Sequence, residues 1–292
     1  MNVEQIIWEE PNRSGSPPLY ITSGEPRFST VTGVCWLDEF RFVANHQVGL
    51  KIALFDTRTG ARPISKTDVP SRSDAITARP IAANTWEVVV SGCWDVTSYI
   101  YKLTICGQVE FERVGTVNHV DQSFCHGVSH GRNGDLCYAF HTGENPRIKS
   151  GAYSYGLPQP WGPRHVCYDP ETCTYYAVAV SANASRTSYK KTGTSIWRLH
   201  QQSQSWEGLF ILPDRHADSC GVYGGLLWFP DQKHNCVIGV ALAKKRPPIV
   251  VDDNSFDFPH GLAVSNSGTL ALTNYGSSSI SLFNLNQFVD KA

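Results

Sequence analysis

The chain has 292 residues, 41% of them apolar and 17% charged, which excludes a disordered polymer and supplies apolar side chains for a large core. Its 25 Lys and Arg against 26 Asp and Glu leave no whole-molecule field to attract nucleic acid or an anionic membrane. No apolar run approaches the roughly 18 residues of a membrane-spanning helix, and Met1 to Tyr20 carries Glu4, Glu9 and Glu10 where a secretory leader would be basic and apolar. The expectation is a soluble, cytoplasmic protein whose nine cysteines, odd in number and without a C-x-x-C pair, are free thiols.

In chain order, Gln5 to Glu9 reads as an isolated strand, and after it a four-strand cadence begins: a small or imidazole residue, a short apolar strand, a polar turn and a second apolar strand. The paired strands are 32–36 with 40–45, 77–81 with 86–91, 126–129 with 136–141, 165–168 with 175–180, 220–223 with 226–229, and 260–264 with 269–274. Anchors at 32, 77, 126, 165, 220 and 260 recur every 39 to 55 residues, one four-stranded blade apiece. Third strands follow at 51–55, 99–103, 195–199, 237–241 and 280–283, and polar outer strands at 110–114 and 205–210. The last unit runs out of chain before its fourth strand, so Gln5 to Glu9 is expected to supply it and close the ring. The prediction is an all-β, six-bladed β-propeller as a single domain over 1–292. Five or seven blades is the alternative, because Gly143 to Pro163 is rich in Gly and Pro and the third unit is short.

The phrase Pro259-His260-Gly261-Leu262-Ala263-Val264, with Gly268, Asn274 and Ile280-Ser281-Leu282-Phe283, resembles the NHL repeat, and the whole organisation resembles the SMP-30/gluconolactonase-like superfamily. That resemblance implies a ligand site at one mouth of the central channel, holding a divalent cation on Glu, Asn and Asp near inner-strand starts. Here the corresponding positions are Thr32, Thr77, His126, His165, Cys220 and His260, so a calcium-dependent lactonase mechanism is not implied. The histidines resemble instead the ligands of the amidating-lyase propeller, which binds zinc in its channel.

In a propeller the loops into the inner strands and out of the second strands emerge on one face. That places His126, His165 and His260 together with His46, His141, Asn45 and Asn274, while Trp94, Trp161 and Tyr275 offer apolar walls. Loop acids on the same face are Asp74, Asp121, Asp214, Asp218 and Asp257, beside Arg164. Three readings are open. His126, His165 and His260 could hold one divalent ion, zinc or similar, with an open coordination position. They could do metal-free acid/base work, with Asp121 or Asp257 orienting a histidine and Arg164 steadying negative charge. Or each His-Gly pair is structural, the imidazole bonding a neighbouring loop and the glycine letting inner strands crowd the axis.

No phosphate-loop, nucleophile-elbow or His-Glu-x-x-His signature is present, which argues against a nucleotide-dependent redox enzyme. The expected function is small-molecule chemistry at the channel mouth, as a hydrolase, lyase, isomerase or cyclase acting on an uncharged or aromatic substrate. The alternative is a scaffold that holds a peptide or protein on the same face. Ser181 to Thr194, polar and long, could be a lid or an ordinary loop.

Overall fold

A computed structural model describes residues 1–15, 30–92, 96–119, 125–141, 146–151, 153–181, 193–200, 203–243 and 246–289, with the backbone of 19–20 and 26–27. Six antiparallel four-stranded sheets form the blades, and the inner strand of each packs against the inner strand of the next until blade six meets blade one. Inner strands are Val31–Trp36, Ser73–Ala82, Cys125–His130, Trp161–Asp169, Gly221–Tyr223 and Pro259–Val264. Second strands are Arg41–His46, Thr85–Gly92, Leu136–Phe140, Thr174–Ser181, Leu226–Asp231 and Thr269–Asn274. No helix of the described residues is long and apolar enough to cross a membrane.

Second strands are the driest because each lies between sheet neighbours and is packed on both faces. Phe42, Val43 and Ala44, Val88 to Val90, and Ala177 to Val180 are all completely buried. Their unbroken apolar runs make the blade cadence visible. Each blade interface carries its own apolar cluster, for example Val43, Leu54, Val88 and Tyr101 between blades one and two. Another joins Val178, Ile196, Leu227 and Phe229 between blades four and five. The ring is therefore held sheet on sheet, leaving the axis to polar residues.

Glu4–Ile7 pairs antiparallel with Ser279–Asn284 and completes blade six, so the first residues of the chain close the ring as expected. His46 clasps this seam: its Nδ1 accepts the Gly49 N–H at 3.0 Å, leaving Nε2–H to donate to Ser278 Oγ at 3.3 Å. Ser278 in turn donates to the Trp8 carbonyl at 2.7 Å. Ile6 is 1% exposed within the cluster shared by blades one and six, whereas its neighbour Ile7 is 64% exposed. Ile6→Ala should therefore lose about 2–5 kcal/mol in urea unfolding, and Ile7→Ala should stay within about 0.5 kcal/mol.

Blade three is complete. Its outer strands, Arg147–Ser150 and Tyr153–Gly156, lie within the Gly- and Pro-rich stretch that made five or seven blades the alternative. Four-residue strands between such flanks carry too few apolar positions to show a period.

Candidate functional site

In five of the six blades a β-bulge at the start of the inner strand turns a side chain toward one end of the channel. In blade one Val31 faces His46 and Gly33 faces Asn45, which leaves Thr32 as the extra residue. The same shift leaves His126 in blade three and Arg164 in blade four, and it spans Asp74 and Ala75 in blade two and His260 and Gly261 in blade six. Blade five is placed by its backbone. Gln47 N–H donates to Thr30 O, Gln232 N–H to His216 O, and Tyr275 N–H to Phe258 O. The residues two further on, Thr32, Asp218 and His260, are thus equivalent. Bulges re-aim side chains and bend the strand that carries them, and here they place Thr32, Asp74, His126, Arg164 and His260 around one end of the channel, where Asp218 joins them from the segment before the inner strand of blade five.

Glycines permit this crowding. A Cβ on Gly127 would lie 2.5 Å from the Arg164 carbonyl oxygen, and one on Gly261 would collide with the Thr32 carbonyl. The six anchors expected from sequence are right in blades one, three and six. They are three residues late in blade two, one late in blade four and two late in blade five.

Asp218 is the hub. Its Oδ1 lies 3.3 Å from Arg164, 3.3 Å from His216 Nε2 and 3.6 Å from His126 Nε2, and its Oδ2 lies 3.5 Å from His260 Nε2. Gln232 Nε2 donates to the same Oδ2. Across the axis, Asp74 Oδ2 is 3.8 Å from His126 Nε2, and Asp74 Oδ1 accepts a hydrogen bond from Gln47. Gln47 is fixed in turn because its Oε1 accepts from Arg72 at 2.7 Å and from the Tyr275 hydroxyl at 3.2 Å. The rings of His126 and His260 stack at 5.7 Å, and Tyr275 stacks on the far side of His260 at 5.5 Å. The His260 Nδ1–H donates to the Thr32 carbonyl at 3.1 Å, which fixes its tautomer and turns Nε2 toward the axis.

These groups are buried, with Asp74 at 4%, His126 at 3%, Asp218 at 6% and His260 at 7% exposure. Burial acts differently on each. It pushes the His126 imidazole well below its ordinary range, and the Arg164 charge pushes the same way. Burial also raises the Asp74 carboxyl, Asp218 adds to that, and His260 opposes it. For Asp218 burial is outweighed by Arg164, His216 and His126, so this carboxyl stays ionised to well below its usual value. Two buried carboxyls that approach the same nitrogen of a neutral imidazole are thus driven apart in acidity.

A cavity of about 540 Å³ runs along the channel. Asp74, His126, Asp218 and His260 line one end of it, and the turns at Tyr168 to Glu171, Tyr223 to Gly224 and Ser265 to Asn266 line the other. Arg164, Gln47 and Gln232 stand behind that lining and position it.

Of the residues expected to do chemistry, His126, His260 and Arg164 come together. His165 lines the same cavity one position past the bulge, where its Nδ1 faces Cys220 Sγ at 3.6 Å. The ligand atoms that do converge within 4.8 Å are those of His126, Asp218 and His260, so an aspartate stands where His165 was expected. This group could hold a metal ion, with two imidazoles and an ionised carboxylate as donors. Asp257 does not line the cavity; it lies beside Gly276, and its N–H bonds Asn274 Oδ1 at 3.2 Å. Asp121 and Trp94 lie outside the described residues, as do 182–192 of the suggested lid.

Among the expected ligand-binding residues, Tyr275 backs His260, and His141 meets the His126 ring edge-on at 6.4 Å while its Nδ1–H donates to the Gly162 carbonyl. Asn45 ties blades one and two through Thr32 Oγ1 and Ser73, and Asn274 bonds Ser279 and Ser281 within blade six. Trp161 packs between blades three and four. His46 clasps the ring seam. These last four serve the frame. Asp74 and Asp218 were visible only as loop acids, and Gln47 and Gln232 carried no signal beyond their shared position after a second strand.

No family model matches the chain, and no curated protein matches it in sequence. Solved structures share the fold. A streptogramin B lyase is 13% identical over 96% of both chains, with a TM-score of 0.58. A catalytically inactive histidine-to-alanine variant of virginiamycin B lyase from Staphylococcus aureus, solved with quinupristin, is 12% identical over 97% of this chain and 100% of that one, with a TM-score of 0.56. A Bacteroides thetaiotaomicron protein of unknown function is 12% identical over 97% of this chain and 76% of its own, with a TM-score of 0.63. The likeness is one of architecture.

Proposed function

We propose that this propeller is a proton-transfer enzyme of the lyase type, acting by elimination on a small uncharged or aromatic substrate held in the channel. The observation that carries the reading is the divergence of Asp74 and Asp218 around a neutral His126, since groups pushed apart in this way take acid and base roles. Neutral His126 is the base. Ionised Asp218 takes the orienting place expected of Asp121 or Asp257 and stabilises the imidazolium as it forms, while Arg164 fixes that carboxylate. Asp74, which keeps its proton to higher pH than an ordinary carboxyl, is the candidate acid for the leaving group. The stacked His126, His260 and Tyr275 rings suit an uncharged or aromatic ligand.

The lyases of similar fold add support, one of them being inactive once a histidine is replaced by alanine. A second reading rests on the convergence of His126, Asp218 and His260, which would hold a divalent ion able to polarise a substrate carbonyl. One experiment separates these. The protein is incubated in heavy-oxygen water with quinupristin and with simpler esters bearing a leaving group β to an acidic C–H, with and without EDTA. An unsaturated product free of heavy oxygen is expected. Persistence under EDTA assigns the chemistry to the side chains, and recovery on adding zinc assigns it to the ion. Heavy oxygen in the product would mean hydrolysis, and neither turnover nor channel binding across the panel would overturn the reading.

A further inference from the structure

The channel wall holds a second reactive group that the acid/base cluster does not use. Cys167, on the inner strand of blade four, and Cys220, just before the inner strand of blade five, face each other with their sulfurs 3.5 Å apart. His165 Nδ1 is 3.6 Å from the Cys220 sulfur, and all three residues line the 540 Å³ cavity. The thiols are 8% and 2% exposed, whereas other buried cysteines face oxygen atoms. Cys137, for example, meets the Ser150 hydroxyl and Cys125 the Gly127 carbonyl. A structural thiol of that ordinary kind needs one polar neighbour. Two thiols from different blades, their sulfurs 3.5 Å apart and both on a cavity that admits small molecules, are placed for oxidative closure.

We propose that Cys167 and Cys220 are an oxidisable dithiol that closes to a disulfide between blades four and five when a peroxide enters the channel. The Cys220 sulfur attacks one peroxide oxygen, the O–O bond breaks, and the hydroxide that leaves takes the thiol proton to become water. Cys220 is then a sulfenic acid. The Cys167 sulfur attacks it, the S–S bond forms, the S–O bond breaks, and a second water leaves with the Cys167 proton. Two electrons pass from the sulfurs to the peroxide, and the protein loses two hydrogens. The closure stands apart from the elimination reading and survives its failure.

The test uses the intact protein, treated with hydrogen peroxide, quenched, alkylated after denaturation and mapped by mass spectrometry without reduction. The expected result is a Cys167–Cys220 cross-linked peptide that dithiothreitol reverses, with two of the nine thiols lost to alkylation. Protein denatured before oxidation should show no preference for this pair. In Cys167→Ser the Cys220 sulfenic acid should persist and be trapped by dimedone. Recovery of both thiols intact would overturn the proposal. So would over-oxidation of Cys220 without a cross-link, or its pairing with exposed Cys106 or Cys173. Because the decisive measurement is on the native sequence, a variant that fails to fold leaves it standing.

Discussion

Replacing Asp218 with alanine should destabilise the fold by about 3–5 kcal/mol, the range for removing one partner of a buried ion pair. The residues around it explain why the loss is one-sided. His126 is already neutral and leaves no charge behind when the carboxylate goes, but Arg164 keeps its charge, and it is only 14% exposed. Among the described residues its Nε makes no hydrogen bond, and Asp218 is its ion-pair partner at 3.3 Å. Asp74, the other nearby carboxyl, is already disfavoured as an anion by burial and cannot fully substitute.

Urea unfolding of Asp218→Ala, Arg164→Met and the double variant checks this, with the double variant less destabilised than the sum of the two single ones. The pH dependence has a definite sign. The folded pKa of Asp218 is depressed, so its contribution is complete above the ordinary carboxyl value of 3.8 and is lost as pH falls through the lower folded value. The gap between wild type and Asp218→Ala should therefore narrow in acid below 3.8. A gap that stays constant there would remove the electrostatic explanation.

The frame and the site differ in how openly the chain declares them, for a geometric reason. Second strands are buried on both faces, so runs such as Val88 to Val90 and Ala177 to Val180 announce each blade whatever its loops do. Site residues sit on bulges, where one inserted residue changes which side chain faces the axis, and periodicity carries no record of an insertion. His126-Gly127 and His260-Gly261 were recognisable because glycine must follow where the neighbouring strand presses close. Cys220-Gly221 imitates that pair, yet Asp218 holds the equivalent place, since the inner strand of blade five begins only at Gly221. In blade four the Pro163 to His165 bulge gives the axis to Arg164 and leaves His165 beside Cys220. Gln47 and Gln232 are apparent only when the residues after second strands are compared across blades, Gln47 with Gln232 and Tyr275. The two carboxyls on which the proposed chemistry rests were present in the sequence as ordinary loop acids, and only the curvature of the ring brings both to one imidazole nitrogen.

If His126 is the base, His126→Gln should lower kcat/KM by about 10²–10⁴-fold, the usual contribution of a positioned proton acceptor, while the melting temperature stays close to wild type. Glutamine is a neutral side chain of similar reach that can donate toward a carboxyl but cannot take a proton, so the substitution separates chemistry from packing. The pH profile then identifies which imidazole acts. Burial and the Arg164 charge depress His126, so it remains neutral and competent down to well below 6.5 and is lost as a base only when pH falls through that lowered value. The expected kcat/KM is flat from neutral pH through 6.5, with its acid limb well below that value. An acid limb centred on 6.5 would instead require a base without that depression. It would exclude His141, which burial and Arg164 lower in the same way, and take the role off His126. A large loss in His260→Gln beside an unimpaired His126→Gln would give the role to the other ring of the stacked pair.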